Sequence, residues 1–290
     1  MAETAKKQGR EVWETLGNQD SPSWYLHPLV ARQKRDVYVD LIRRWTQGRQ
    51  ALTILKTDLF EEAFGEDYVL PGLFPEARMA CGMDSALSTA RRAALRHESL
   101  AGRVVVMDAR SPAWKIGQFD LIISTSTLDH FDGRAEFVRS VEALAELLRP
   151  GGLLILALDN PLNPLYHLLR AFSRRRASPY PLGYTPDFGT LCRDLRACGL
   201  EIGESDWILH NPRGLSTLLF VGLQKLLGKK ADRLIETCLR IFELFGRLPT
   251  RRFTACFQSV AAHKPVAVCE PGAVVGCGKS TPAEELLPSP

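Results

Sequence analysis

The sequence predicts an α/β protein built on an open, doubly wound parallel sheet. Three observations predict it. Between about residues 50 and 160, short and nearly continuous apolar runs alternate with segments of helical periodicity. Runs of that kind are strands buried on both faces, which is the signature of a parallel sheet covered by helices. The connections are short, so right-handed crossovers leave a doubly wound order as the topology.

Each element follows in turn. Residues 1–27 are polar, with isolated aromatics at Trp13, Trp24 and Tyr25, and read as an arm or lid. Residues 28–48 carry apolar positions at Val30, Val37, Leu41, Ile42 and Trp45, a helix stopped by Gly48. ALTILKTD is a first strand, and the less regular EEAFGEDYVLPGLF follows it. MACGMDSA is a second strand, ending at Asp84, and STARRAALRHESLAG a helix ending at Gly102. RVVVMDAR is a third strand, ending at Asp108, and FDLIISTSTLDHF a fourth that runs into a loop. GRAEFVRSVEALAELLRPGG is a helix stopped at Pro150-Gly151-Gly152, and LLILALDN is a fifth strand.

Residues 161–250 differ. An arginine cluster (Arg170, Arg174, Arg175, Arg176) leads into the turn-rich PYPLGYTP. A helix ending at Gly199 follows, then a strand over EIGESDWILHN and two apolar-faced helices broken near Gly228. RRFTACFQSVAAHKP reads as the last strand, and the Pro- and Gly-rich residues 266–290 read as a disordered tail.

Composition narrows the function. The chain has 290 residues, 45% hydrophobic and 24% charged, which excludes wholesale disorder, collagen and a polytopic membrane protein. A net charge of +4, from 37 basic and 33 acidic residues, gives no bulk attraction to nucleic acid, so no nucleic-acid partner is expected. Seven cysteines form no CxxC pair, so neither a metal site nor a disulfide framework is expected. The first residues lack an apolar signal segment, and a cytoplasmic location is expected.

The segments ILKTDLFEEAFG, CGMDSALSTARRA, VVVMDARSPAWKIGQFDLIISTSTLDHF and LLRPGGLLILALDN, with FTACFQSVAAHKP, resemble the class I S-adenosylmethionine (SAM) dependent methyltransferases of the type-11, small-molecule kind. The resemblance covers about residues 30–265. It implies a Rossmann-like, mostly parallel sheet whose last strand is antiparallel, with residues 28–265 as the domain and 161–250 holding a helical lid or cap inserted on the substrate side. It implies SAM as cofactor and methyl transfer to an O, N or C nucleophile of a small-molecule or lipid-like acceptor.

The resemblance also assigns residues. Asp84, flanked by Met83 and Ser85, takes the place of the carboxylate that accepts the SAM ribose hydroxyls. Asp108 takes the place of the acid that bonds the adenine amino group, and Ala109 offers its N–H to the ring. Ser124 to Thr127 line the methionine end. Asp129 and His130 follow the fourth strand on the reaction side, where His130 serves either as a general base or as a loop residue shaping the pocket. Asn160, Tyr166, His167 and His210 are further pocket candidates.

The first loop departs from the family. Lys56 stands at its acidic position, and Asp58, Phe60 and Glu62 stand where glycines are usual. Asp58 either contacts the SAM ammonium or caps the next helix. The loop's carboxylates would repel the phosphates of a dinucleotide. The degenerate loop leaves a rival reading, a non-catalytic or regulatory protein on the same fold; a Rossmann-type nucleotide-dependent oxidoreductase is a second, disfavoured by the absence of GxGxxG. In the insertion, the arginine cluster and the apolar helices bearing Lys225, Lys229, Lys230 and Arg233 suit either an anionic amphiphile or membrane surface, or a solvated lid face. Residues 273–280 match a relaxed P-loop pattern but lack the following helix that such a loop needs.

Overall fold

The apolar runs assemble as one sheet. The computed structural model describes residues 11–19, 26–174, 182–212 and 215–266. The strands are β1 (Leu52–Lys56), β2 (Ala77–Asp84), β3 (Val104–Val106), β4 (Phe119–Thr125), β5 (Leu148–Asp159), β6 (Glu201–Ile208) and β7 (Phe257–His263). Their order is β3-β2-β1-β4-β5-β7-β6. The first five run parallel, and β7 lies antiparallel between β5 and β6. The fold is the expected doubly wound, Rossmann-like sheet with an antiparallel last strand. Its order reverses between β1 and β4, and the crevice outside the carboxyl ends of strands at such a point is where open α/β sheets bind ligands.

The helices cover both faces. Residues 11–17 form α1. Then come α2 (Pro28–Thr46), α3 (Phe60–Phe64), α4 (Leu87–Arg96), α5 (Arg134–Leu147), α6 (Pro164–Arg174), α7 (Phe188–Ala197), α8 (Leu215–Leu227), α9 (Ala231–Glu243) and α10 (Arg251–Thr254). Alternate strand residues face opposite layers. Ile54, Leu121, Ile123 and Ile155 pack in one core with Leu41, Ile42 and Trp45 of α2. Leu55, Ile122, Leu154 and Leu156 pack in the other with Phe137 and Val141 of α5 and Leu191 and Leu195 of α7.

Helix ends follow local chemistry. Pro28 opens α2, and the His27 ring accepts from Leu29 N–H at 3.3 Å. Gln47 and Gly48 close it with φ of 51° and 71°. Asp187 caps α7 by accepting from Thr190 N–H at 3.0 Å. The predicted break at Gly228 is real: φ is +56° there, and a short 3₁₀ turn separates α8 from α9.

Several boundaries differ from expectation. The polar arm contains α1, whose Leu16 is buried. β3 ends at Val106, so Asp108 lies in the loop beyond it. β5 begins at Leu148, ahead of the Pro-Gly-Gly stop, because Leu148 already pairs with Phe119 of β4. The irregular stretch after β1 contains α3 and a 3₁₀ turn over Leu70–Glu76. The segment 161–250 supplies α7 and β6 to the sheet layers as well as a cap. In that cap, Phe220 of α8 and Ala231, Ile235 and Leu239 of α9 pack on Leu29 and Val30 of α2. Hydrogen bonds from His27 to Gln224 (2.9 Å) and from Gln33 to Glu243 (2.9 Å) fix the contact. Trp24, Tyr25, Arg175, Arg176, the side chain of Arg174, the P-loop-like stretch and the tail from residue 267 lie outside the described residues.

Candidate functional site

The tip of β1 is the most charged place in the interior. Its last residue, Lys56, is fully buried, and a lone ammonium there would be prohibitively desolvated. The loop answers with carboxylates: Glu62 at 3.0 Å, Glu61 at 3.1 Å and Asp58 at 3.3 Å from Lys56 Nζ. A second cation reaches in from α2, where Lys34 bonds Glu61 at 2.6 Å and Asp67 at 2.8 Å. Burial alone would pull both lysines down; the surrounding carboxylates more than reverse it, so both stay charged. Burial alone would raise Glu61, but Lys34 and Lys56 hold it down at about 2. Glu62 also accepts from the N–H groups of Val69 (3.1 Å) and Leu70 (3.0 Å), tying the following turn to the loop.

Asp58 sits at the edge of this cluster. Its carboxylate accepts from the Thr127 hydroxyl at 2.8 Å and from Phe60 N–H at 3.3 Å. It therefore joins the β1 loop to the loop after β4 and bonds the first N–H of α3, whose N-cap residue is Leu59. Its side chain stays 16% exposed.

One strand over, the tip of β2 is different. Asp84 is buried and accepts from Leu59 N–H at 2.9 Å and Ala86 N–H at 2.8 Å. Desolvation dominates, and the carboxyl is pushed up to about 7. Asp84 pins the β1 loop down over β2, so Leu59 packs hard on Gly82. A Cβ at residue 82 would come within 2.4 Å of the Leu59 side chain. The resemblance expects a glycine-rich turn in this loop, and here Leu59 packs against Gly82 instead. Met83 and Ala109 are buried beside Asp84 in the sheet's second core.

Asp108 is held by the guanidinium of Arg110, with contacts of 2.7, 2.9 and 3.1 Å. Arg110 also bonds Glu136 at 2.9 Å and lies over the Phe131 ring. At the tip of β4, Ser124 and Ser126 place hydroxyls in buried positions with no hydrogen-bond partner among the described residues. Ser126 adopts φ of 51°, a left-handed conformation that side chains seldom take. Asp129 accepts from Asp159 N–H at 3.0 Å, which locks the loop after β4 onto the end of β5.

His130 follows in a short 3₁₀ turn, and the ring of Trp13 rests edge-on against it at 4.9 Å. Trp13 also meets Phe60 at 6.0 Å. Glu14 of the same helix accepts from Ser88 N–H at 3.0 Å, at the start of α4. α1 thus lies across the carboxyl ends of the strands, over the loops that carry Phe60, Ser88 and His130.

The structure brings Asp58, Asp84 and Ser124 to the tips of three adjacent strands, β1, β2 and β4. Asp108 and Ala109 flank β2 beyond β3, while Asp129 and His130 close the other side. The lower-ranked candidates separate. Asn160 and His210 are buried and bonded to the segment before β7, at Arg252 and Ala255 and at Thr254 (2.8 Å) respectively. His167 is exposed. Tyr166 lines a cleft at the end of β5 with Asp159, Asn163, Leu165, Leu169 and Cys256. Sequence reasoning missed Lys34, which no motif flags, and the turn chemistry at Asn163-Pro164 that starts α6.

Residues 63–156 match the family model described as a methyltransferase domain. No curated protein matches the chain. Among solved structures, the N-methyltransferase NodS from Bradyrhizobium japonicum, in complex with S-adenosylhomocysteine, is 15% identical. That alignment covers 89% of this chain and 98% of NodS, with a TM-score of 0.53. Phosphoethanolamine N-methyltransferase 2 of Haemonchus contortus, in complex with phosphomonomethylethanolamine and S-adenosylhomocysteine, is 14% identical over 89% of this chain and 58% of its own, with a TM-score of 0.53. The [4+2]-cyclase SpnF is 17% identical over 80% and 81%, with a TM-score of 0.50. A cyclase among these neighbours means that the fold by itself does not fix the reaction. The chain shares the fold of these solved structures, and its residues 63–156 match a methyltransferase domain.

Proposed function

We propose that the protein binds SAM in the crevice at the tips of β1, β2 and β4 and transfers its methyl group to an O, N or C nucleophile of a small-molecule or amphiphilic acceptor. The observation that carries this reading is Asp84. It is a buried carboxyl at the ligand-binding end of the sheet, bonded among the described residues only to two backbone N–H groups. Each of its oxygens keeps a lone pair for a diol, and donors from a ribose would offset the desolvation that holds it near 7. The hydroxyls of Ser124 and Ser126, unpartnered among the described residues, suit the polar methionine end, and the partly exposed Asp58 carboxylate suits its ammonium. Asp108 and Ala109 N–H serve the adenine.

SAM brings an activated methyl, so the chain's own residues have mainly to align it with the acceptor. On this reading His130 accepts a proton from the acceptor, beside the Trp13 ring that rests on it, while Asp129 bonds the loop that carries it to the end of β5. Neighbours crystallised with SAM, S-adenosylhomocysteine or a phosphorylated amine support the reading.

Leu59 favours a second reading. It packs against Gly82 in the loop where the resemblance expects a glycine-rich turn, and Arg110 already engages Asp108. On that reading the fold has given up its cofactor and acts as a regulatory partner. Calorimetric titration of SAM and S-adenosylhomocysteine into the full chain separates the two. The first predicts micromolar binding that Asp84→Ala weakens by about tenfold or more, the loss of hydrogen bonds to a charged group. The second predicts no heat of binding from protein that unfolds cooperatively.

A further inference from the structure

Helix α8 is apolar on its outer face as well as its inner one. Its inner face meets α2 and α9 through Phe220 and Gln224. Its outer face repeats at helical spacing as Leu215, Leu218, Leu219 and Leu226, with Leu218 73% and Leu226 84% exposed. A helix that packed only to close a core would present polar residues there. Most of the large apolar side chains exposed among the described residues lie between Leu162 and Phe253, in and around this cap.

Charge says what covers this face. Residues 215–254 hold eight basic and three acidic residues, a net +5, against +4 for the whole chain. The protein's entire positive excess is therefore in the cap. Lys225 is seven residues from Leu218 and shares its face, and Lys229 and Lys230 are exposed where α8 turns into α9. Two such surfaces repel each other, which disfavours a second copy of the chain. A wide anionic surface is attracted and can also accept leucine side chains. No helix among the described residues is long and apolar enough to cross a membrane. The pattern is that of a helix lying in the interface.

We infer that α8, with the Lys229–Lys230 turn, is a docking face for the surface of an anionic lipid bilayer. Leu218, Leu219 and Leu226 enter the headgroup region and the lysines pair with lipid phosphates. This inference stands on the cap alone and holds whether or not the crevice binds SAM.

The test is co-sedimentation of the full chain with phosphatidylcholine vesicles, with and without phosphatidylglycerol. Binding is expected only when phosphatidylglycerol is present, and it is expected to weaken with added salt. Lys229→Glu/Lys230→Glu should lower the partition coefficient by about fivefold or more per residue changed. Leu218→Glu/Leu226→Glu should abolish binding. These side chains face solvent, so the thermal midpoint should stay that of the parent; if the leucine variant does not fold, the lysine variant decides. Absence of binding to the anionic vesicles overturns the inference, as does binding indifferent to both variants. A dimer that Leu218→Glu/Leu226→Glu dissociates, with no vesicle binding, overturns it in favour of a second copy. A monomer that ignores vesicles overturns it in favour of a protein partner.

Discussion

Glu61 and Asp84 are buried carboxylates at the same end of the same sheet, and the protein treats them in opposite ways. Glu61 has two lysines and the Thr125 hydroxyl in contact, and it is held down at about 2. Asp84 has two backbone N–H groups, and burial pushes it up to about 7. One acid is a finished part of the scaffold. The other is stable only as an acid or with further donors. Internal countercharge finishes Glu61 as structure, and its absence at Asp84 is what the proposed ligand contact there rests on.

The largest expected effect breaks the finished side. Lys56→Met would leave Glu62 and Asp58 without their buried cation, at a cost of about 3–5 kcal/mol. A urea unfolding curve checks this; a change below the scatter of the midpoint would mean that the cluster is wet or rearranged.

The next prediction uses pH. Asp84 is raised from 3.8 to about 7, so the folded chain holds a proton that the unfolded chain releases. The stability tied to that proton is full below the unfolded value and is lost as pH rises through about 7. Asp84→Asn has no such proton. Its stability relative to the parent should rise with pH across that window and level off above it, by at most about 4 kcal/mol. Glu61 runs the other way. Its contribution is full above its ordinary 4.5 and is lost as pH falls through about 2. Parallel unfolding series for Asp84→Asn and Glu61→Gln should therefore diverge at opposite ends of the pH range. Curves that ran together would erase the distinction.

The smallest effect concerns the cover. Trp13→Ala removes an edge-on ring contact with His130 and another with Phe60, about 0.5–1.5 kcal/mol apiece beyond area. The thermal midpoint should fall by several degrees, and on the proposed reading the intrinsic fluorescence change on SAM addition should shrink.

Much of this was legible in the chain. The strand tips at Asp84 and Ser124 could be read because apolar runs end where the chain leaves the core. Gly199 and Gly228 marked helix ends because both need a positive φ. The start of β5 was hidden, since Pro150-Gly151-Gly152 signals a stop while the ladder to β4 and the bond from Gly151 N–H to Lys264 O (2.8 Å) keep the strand extended through it. The fate of Lys56 was only half visible. Its carboxylates are close in sequence, but the balancing Lys34 comes from α2, and no local pattern announces a contact across 27 residues to Glu61. The clamp of Asp108 by Arg110 is two residues long and could have been weighed from the sequence.

Helix α2 gives these parts a common strut. Near its start it is bonded to α8 through His27, one turn on to α9 through Gln33, and beside that Lys34 grips the loop after β1. Any ligand whose binding strains that loop would load the same rigid rod that carries the cap. By thermodynamic reciprocity, whatever factor the proposed crevice ligand imposed on the proposed docking of the cap, the docked surface would return to the crevice.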